Sequence, residues 1–519
     1  MSLSTKSAEA QKPVVNIEPL SASVDTGDKR HSDARHSEAV SRLEKGLVSP
    51  LFFKDQADRT YTLEERMQFY NVPGVSVALI ENGEIAWVKS WGVKDVNSQE
   101  PVTTQSIFQA ASISKPLSAF AALRMVESGH LSLDQPINHY LKQWQLPENT
   151  FTQQVPVTLT HLLSHTGGVT VHGFHGYAQS APQPTVLQVL NGEAIAQSDS
   201  VEVNTLPGTQ FRYSGGGSTV FQVAMEDVSQ QSFTQLMQDL VLTPTGMTSS
   251  TYEQPLPKTF TADIASGHLV DGSVVAGLWH NYPTQSAASL WTTPTDLAKF
   301  SLAVINASKK KSHSSQENSD ASQEQSGVLQ ENSDALFSKN LCEKFLTNQK
   351  NAWGLGPRLF LEDGTAIGFH HGGANAGYRC NTLAFLDGRG AVIMTNSDAG
   401  NGLVAEMQTA LAELYDWPAH KRESKAWLPI AEAERTALTG VYSFAYDDVV
   451  LEVKVELCPE GLTILTPWYP NLRDFLCTEQ DDDSSSFTSP LGSIVTFGEN
   501  EKGQRIVTSG GVVFIQSRS

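Results

Sequence analysis

Apolar positions change their period several times along the chain, and each change marks an element. Residues 1 to about 35 are rich in Ser, Asp and Lys with no sustained apolar period, so a loose, disordered tail is expected there. From about Ser37 the run HSEAVSRLEKGL predicts a helix, and TLEERMQFYNVPG, Thr62 to Gly74, predicts a second that ends before Pro73. The period then shortens. VSVALI, Val75 to Ile80, and IAWVKSWG, Ile85 to Gly92, flank Asn82-Gly83, the dipeptide of a type I′ hairpin. A similar pair recurs far downstream, Asn381 to Leu386 and Ala391 to Asn396 around DGRG, and the two hairpins are expected to share one sheet. Between them, SAFAALRMVESG predicts a helix capped at Gly129, and DLAKFSLAVI one that begins near Asp296. Strands at both ends with helices between them predict a mixed α+β domain over residues 36–425, with an antiparallel sheet and a helical subdomain. No parallel doubly wound sheet is suggested.

Two stretches break from this pattern. Lys309 to Leu336, within a segment spanning about 306–336, is low-complexity and carries QENSDA twice, at Gln316 and at Gln330; a tolerated surface insertion is expected. From Leu438 the chain reads as short β segments, VVLEVKVEL, LTILTP and GGVVFIQS, separated by Gly, Pro and Asp clusters. Residues 430–519 therefore predict a small all-β barrel or sandwich.

Charge narrows the partners. The 36 basic and 56 acidic side chains give a net charge of −20, which repels nucleic-acid backbones and anionic lipid surfaces. No stretch reaches the ~18 to 20 apolar residues that span a bilayer, and the opening MSLSTKSAEAQKPVV lacks the apolar run of a signal peptide. The cytoplasm is the expected compartment, with the periplasm or secretion open if a leader has been removed. Cys342, Cys380, Cys458 and Cys477 form no C-x-x-C pair and are expected as free thiols. The histidines His161, His165, His172 and His175 lack adjacent carboxylates, and no metal or other cofactor is expected.

Three motifs carry the candidate chemistry. In FQAASISKPLSAF, Ser112 and Lys115 lie three residues apart at a helix entrance, on one helical face, so the amine can touch and deprotonate the hydroxyl. Pro116 biases Lys115 away from helical geometry, so an irregular first turn is expected. In LPGTQFRYSGGGSTV, Tyr213 stands at a loop tip before Gly215 to Gly217 and a helix expected near Ser218; a tyrosine beside a cation can exchange a proton with the serine. In FHHGGANAGYRCNTLAF, His371-Gly372-Gly373 precedes a strand expected near Asn381, where an edge can hold an extended substrate. The Ala374 and Ser112 N–H groups are the candidate oxyanion donors. His172, His175 and Tyr177 are candidate pocket residues, with solvated loop positions as the alternative.

In this order, the three motifs resemble the family of class C β-lactamases, penicillin-binding D,D-peptidases, D-aminopeptidases and related esterases. NVPGVSVALI, LTHLLSHTGG (Leu159 to Gly168) and SLWTTPTDLAKF (Ser289 to Phe300) resemble it too, over about residues 36 to 425. The resemblance implies a β-lactamase/transpeptidase-like fold, Ser112 as acylated nucleophile, Lys115 as its partner and Tyr213 as proton carrier. It implies that His371 to Gly373 form the strand motif beside the substrate. Two positions depart from the β-lactamase pattern. Gly215 stands where those enzymes carry a substrate-binding Asn, and His371 replaces a Lys whose fixed charge grips a carboxylate. Both departures resemble the esterase and D-aminopeptidase side. The implied activity is a serine hydrolase acting through an acyl-enzyme on a small ester, amide or short peptide. A D,D-carboxypeptidase or β-lactamase, and a non-hydrolytic receptor or scaffold, are the alternatives. The terminal β segment is similar to the lipocalin-like domain that some members carry.

Overall fold

In the computed structural model the described residues are 26–53, 60–309, 337–425, 436–446, 449–458, 461–466, 469–478, 486–488, 494–509 and 512–517. Six antiparallel strands form the central sheet: β1 (Gly74–Glu81), β2 (Glu84–Gly92), β3 (Arg358–Glu362), β4 (Thr365–Asn375), β5 (Tyr378–Phe385) and β6 (Gly390–Thr395). Their order is β2-β1-β6-β5-β4-β3, so the two hairpins expected from the sequence do share a sheet, joined where Ile80 pairs with Gly390 and Val75 with Thr395. Asn82 and Gly83 take φ values of 53° and 77°, the positive pair that a type I′ turn requires.

The helices that cover the sheet or carry site residues are α1 (Thr26–Lys45), α2 (Leu63–Phe69), α3 (Ser114–Glu127), α4 (Gly215–Ser229), α5 (Pro294–Ser308), α6 (Lys339–Leu346) and α7 (Gly400–Leu414). Both faces of the sheet are packed, which is why β1 is buried at every position. Val75, Val77 and Leu79 pack with Ala39 and Leu43 of α1 and with Leu403 and Met407 of α7. The alternate side chains Ala78 and Ile80 join a larger core with Phe120 of α3, Val304 of α5 and Phe345 of α6. Thr62 caps α2 in a reciprocal box with Glu65, and Thr293 caps α5 with Pro294 in the first turn. Gly129, at φ 78°, follows the end of α3 as expected.

Three boundaries differ from the sequence reading. Residues 26–35, expected in the loose tail, are the first turns of α1; Arg35 and His36 dock them by pairing with the buried carboxylate of Glu81 at 3.2 and 2.7 Å. Helix α4 begins at Gly215 rather than near Ser218, because the Ser214 hydroxyl accepts the Gly217 N–H and pulls the glycines into the first turn. The His-Gly-Gly motif lies inside the long strand β4 rather than before a strand, and β5 starts at Tyr378. The repeat insertion falls outside the described residues beyond Lys309, as do residues 1–25 of the expected tail.

The C-terminal segment is a closed antiparallel barrel of eight strands: β7 (Gly440–Tyr446), β8 (Val449–Cys458), β9 (Gly461–Thr466), β10 (Tyr469–Thr478), β11 (Ser486–Thr488), β12 (Ile494–Glu499), β13 (Arg505–Ser509) and β14 (Val512–Gln516). Pairing of Tyr442 with Gln516 closes it. Tyr442, Val453, Ile464, Phe487, Phe497 and Phe514 pack into one cluster inside, so this is a filled core of its own. Cys342 and Cys380 are buried free thiols, as expected, whereas the side chains of Cys458 and Cys477 fall outside the described ones. Among the described residues no helix is long and apolar enough to cross a membrane.

A buried ion pair ties α2 to α7. The Arg66 guanidinium donates to Glu406 at 2.9 Å, and the Tyr70 hydroxyl donates to the same carboxylate at 2.8 Å. Glu406 has no exposed surface, and burial pushes its carboxyl up against the opposing pull of Arg66 and Tyr70. Glu406→Leu leaves the Arg66 charge buried and unpaired, and is expected to cost about 3–5 kcal/mol in urea unfolding. A loss below about 1 kcal/mol would show that Arg66 escapes to solvent at little cost.

Candidate active site

Ser112 sits in a single 3-10 turn, Ala111–Ile113, that runs straight into α3. The irregularity expected from Pro116 falls one turn early: Lys115 is already helical, and the strain lies at Ala111, a non-glycine residue at φ 50°. The Ser114 hydroxyl holds the turn by donating to Ala111 O at 2.6 Å and accepting the Leu290 N–H at 3.0 Å. One turn of helix places Lys115 Nζ 3.0 Å from Ser112 Oγ and 2.9 Å from Ala287 O. Lys115 is 3% exposed, so its amine is removed from bulk water and aimed at the hydroxyl.

Tyr213 approaches from the other side, its ring centroid 4.9 Å from Lys115 Nζ. It lies among rings: His165 at 4.5 Å, His172 at 4.9 Å, Trp353 at 5.7 Å and His371 at 6.0 Å between centroids. The glycines after Tyr213 let a second loop lie on the start of α4. Gly215 N–H donates to His172 O and Gly216 N–H to Val171 O, each at 3.0 Å, and a Cβ on Gly216 would meet Thr170 O at 2.6 Å. A Cβ on Gly215 would stand 3.1 Å from both His172 O and the Phe174 ring. The 172–174 loop thus packs where a side chain at 215 would begin, and His172 rather than residue 215 lines the cavity.

The third wall is β4. Its neighbour β3 ends opposite His370, with Arg358 as partner, so residues 371–375 run past it with that edge open toward the serine turn. Gly373 is required there: a Cβ would sit 2.2 Å from Ala110 O and 2.5 Å from Cys380 Sγ. Asn375 anchors the strand end by donating to Gln109 Oε1 at 2.7 Å and Ala288 O at 3.0 Å. A cavity of about 480 Å³ results, bounded by Ser112, His172, Tyr213, His371, Gly372, Gly373 and Ala374, with Cys380, Asn381, Asn401, Val404, Ala405 and Gln408 at its far side. Ser112, Lys115, Tyr213, His371, Gly373 and Ala374, singled out in three distant stretches of sequence, therefore converge. Gly215 supports the loop behind them, and His175 and Tyr177 do not line this cavity.

Electrostatically the site holds one buried amine among neutral imidazoles. His371 is pushed down to about 3 by burial first and by the Lys115 charge second, against a 2.6 Å hydrogen bond from Nδ1 to Gly372 O. His165 and His172 are lowered by burial and by Lys115 in the same way. His371 therefore supplies no positive charge near neutrality. Among the described residues, no cluster of three or more His, Cys, Asp or Glu is placed to hold a metal ion. Sequence reasoning misses several contributors. His165 reads there only as a histidine without an adjacent carboxylate inside the LTHLLSHTGG stretch, Trp353 carries no signal beyond its NAWGLG context, and Asn381 and Gln408, hydrogen-bonded at 2.9 Å, come from β5 and α7.

This geometry, a serine and lysine one helical turn apart beneath a tyrosine and beside an open strand edge, defines the class of active-site-serine penicillin-recognising folds. The family model described as Beta-lactamase matches residues 61–416, and the chain belongs to the β-lactamase family. Protein flp of Staphylococcus aureus (strain MW2) is 24% identical over 235 residues, 45% of this chain and 44% of that protein. Esterase EstB of Burkholderia gladioli is 25% identical over 200 residues, 37% of this chain and 50% of that protein. The chain thus matches half or less of the length of these curated relatives. Among solved structures, the octameric penicillin-binding protein homologue from Pyrococcus abyssi superposes with a TM-score of 0.56 at 19% identity, covering 88% of this chain and 98% of that one. SurE with D-Leu superposes with a TM-score of 0.52 at 20% identity, covering 94% and 100%. These likenesses concern the fold.

The depressed histidines give a signed pH dependence. In the unfolded chain His371 binds its proton near the ordinary value of 6.5, and in the folded protein only near 3, so the unfolded state holds more protons between those values. The stability due to neutral His371 is complete above 6.5 and drains as the pH falls toward 3. His371→Asn, which can still donate to Gly372 O, is expected to flatten the fall in Tm between about pH 6.5 and 4.5. Equal slopes in the two proteins would show that His371 is not held neutral.

Proposed function

We propose that this protein is a serine hydrolase that cleaves an uncharged ester, or an amide of similar shape, through an acyl-enzyme on Ser112. The observation that carries the reading is the 3.0 Å contact between the buried Lys115 amine and Ser112 Oγ, with Tyr213 over the same amine. Ser112 Oγ forms its bond to the substrate carbonyl carbon as its proton passes to the Tyr213 oxygen, whose negative charge in this step the Lys115 ammonium offsets. The carbonyl oxygen gathers charge and is held by the Ser112 and Ala374 N–H groups. Collapse expels the leaving group, which receives the proton. Water then attacks the acyl-enzyme over the same proton path and releases the acid.

The preference for an uncharged substrate rests on the lining. Among the described residues, none of the side chains bounding the cavity belongs to Asp, Glu, Lys or Arg, and His371 is neutral where a carboxylate-gripping cation would be needed. A substrate carboxylate placed beside His371 would lose its hydration without gaining an ion pair there. The likeness to esterase EstB agrees with this choice over a D,D-carboxypeptidase. A second, polar cavity of about 950 Å³ opens on the other side of His172 and offers room for a longer leaving group.

Ser112→Ala is expected to abolish labelling by a fluorophosphonate probe while the Tm stays close to that of the parent. Tyr213→Phe and Lys115→Ala are each expected to lower kcat/KM about 10²- to 10⁴-fold on p-nitrophenyl butyrate. Labelling of the Ser112→Ala protein at the parent rate would overturn the assignment. In a substrate panel, neutral p-nitrophenyl esters should be cleaved with higher kcat/KM than the corresponding hemisuccinate ester, whose carboxylate has no partner; the reverse order would reject the uncharged substrate.

A further inference from the structure

His165 takes no part in the proton path, yet it is bound to the segment that carries Tyr213 on both sides of the tyrosine. Its carbonyl accepts the Arg212 N–H at 2.7 Å, and its ring Nδ1 accepts the Ser214 N–H at 3.2 Å. The residue between those two donors is Tyr213. The His165 ring also lies against the Tyr213 ring, 4.5 Å between centroids and tilted by 39°. Because Nδ1 accepts, the ring proton of the neutral imidazole belongs on Nε2, and the tautomer is set by the Tyr213 segment itself.

The residue is built into this post at some cost. His165 is 4% exposed and sits at φ 56°, in the left-handed region that few side chains tolerate. Trp353 and Phe211 pack edge-on against its ring at 5.1 and 6.1 Å. Burial, together with the charge of Lys115 and the neighbouring His371 and His172, holds the imidazole neutral, so Nδ1 stays an acceptor.

We propose that His165 is the positioning residue of Tyr213, clamping the backbone on either side of it so that the phenol stays registered on Lys115 and Ser112. This rests on the reading of Tyr213 as proton carrier. The clamp explains how a tyrosine on a loop can be held to the tolerance proton transfer demands, where a displacement of ~1 Å costs about 100-fold in rate.

A double-mutant cycle with p-nitrophenyl butyrate as substrate tests it. His165→Leu keeps apolar bulk but removes the ring acceptor, and is expected to lower kcat about 100-fold with a much smaller change in KM. His165→Asn, whose Oδ1 falls near the place of Nδ1 and which tolerates this φ, is expected to recover most of that loss. In the Tyr213→Phe background, His165→Leu should cause almost no further loss, because its effect passes through the phenol. If the leucine variant fails to fold, His165→Gly, free of strain at this φ, takes its place. Parent-like kcat in the leucine variant, no recovery by asparagine, or losses that multiply in full in the double variant would each overturn the clamp and leave Tyr213's role intact. A parent-like rate for Tyr213→Phe alone would overturn the clamp together with the proton-carrier reading on which it rests.

Discussion

The site is organised by a buried lysine amine whose hydrogen bonds, among the described residues, reach a hydroxyl and a main-chain carbonyl. Taking an ammonium out of water is expensive, and Lys115 offsets that cost with Ser112 Oγ, Ala287 O and the face of Tyr213, none of them a carboxylate. Its surroundings are arranged accordingly. Burial first, and the Lys115 charge second, drive His165, His172 and His371 toward the neutral form. A side-chain carboxylate packed against Lys115 would compete with Ser112 Oγ for its amine. A further cation would be repelled. The neutral imidazoles avoid both, and among the described residues they leave the cavity lining without a charged side chain.

Much of this was legible in the sequence because it depends on local spacing. The i, i+3 relation of Ser112 and Lys115 puts them on one face of a helix whatever the surrounding fold, and Asn82-Gly83 specifies its turn unaided. The family resemblance supplied the convergence of Tyr213 and His371 on that pair, which no spacing rule could, since they lie in stretches separated by whole helices. What escaped were groups whose roles are fixed only by contact: His165, which reaches Tyr213 through backbone hydrogen bonds, and Trp353, which closes the ring cluster.

The boundary errors have one physical source. Residues 26–35 lack an apolar stripe and read as a tail, yet Arg35 and His36 find a buried carboxylate at Glu81. The glycines at 215–217 read as lying just before a helix, yet a capping serine and a loop pressed close against them make them its first turn. A contact distant in sequence acts in both places, Glu81 on α1 and the 170–174 loop on the start of α4, where it adds to the local cap of Ser214.

The central ladder also constrains how the chain reaches its fold. Ile80 pairs with Gly390, so a strand near the start of the family-matched region, residues 61–416, waits for one near its end, and most of that region lies within the loop that this pairing closes. Such a high contact order implies slow folding, since the entropy of closing the loop is lost before any ladder bond returns it. The strand edge beside Ser112 belongs to the same sheet. A growing chain would therefore carry its serine and lysine long before it had a surface against which to use them, and catalytic competence would arrive with the last hairpin.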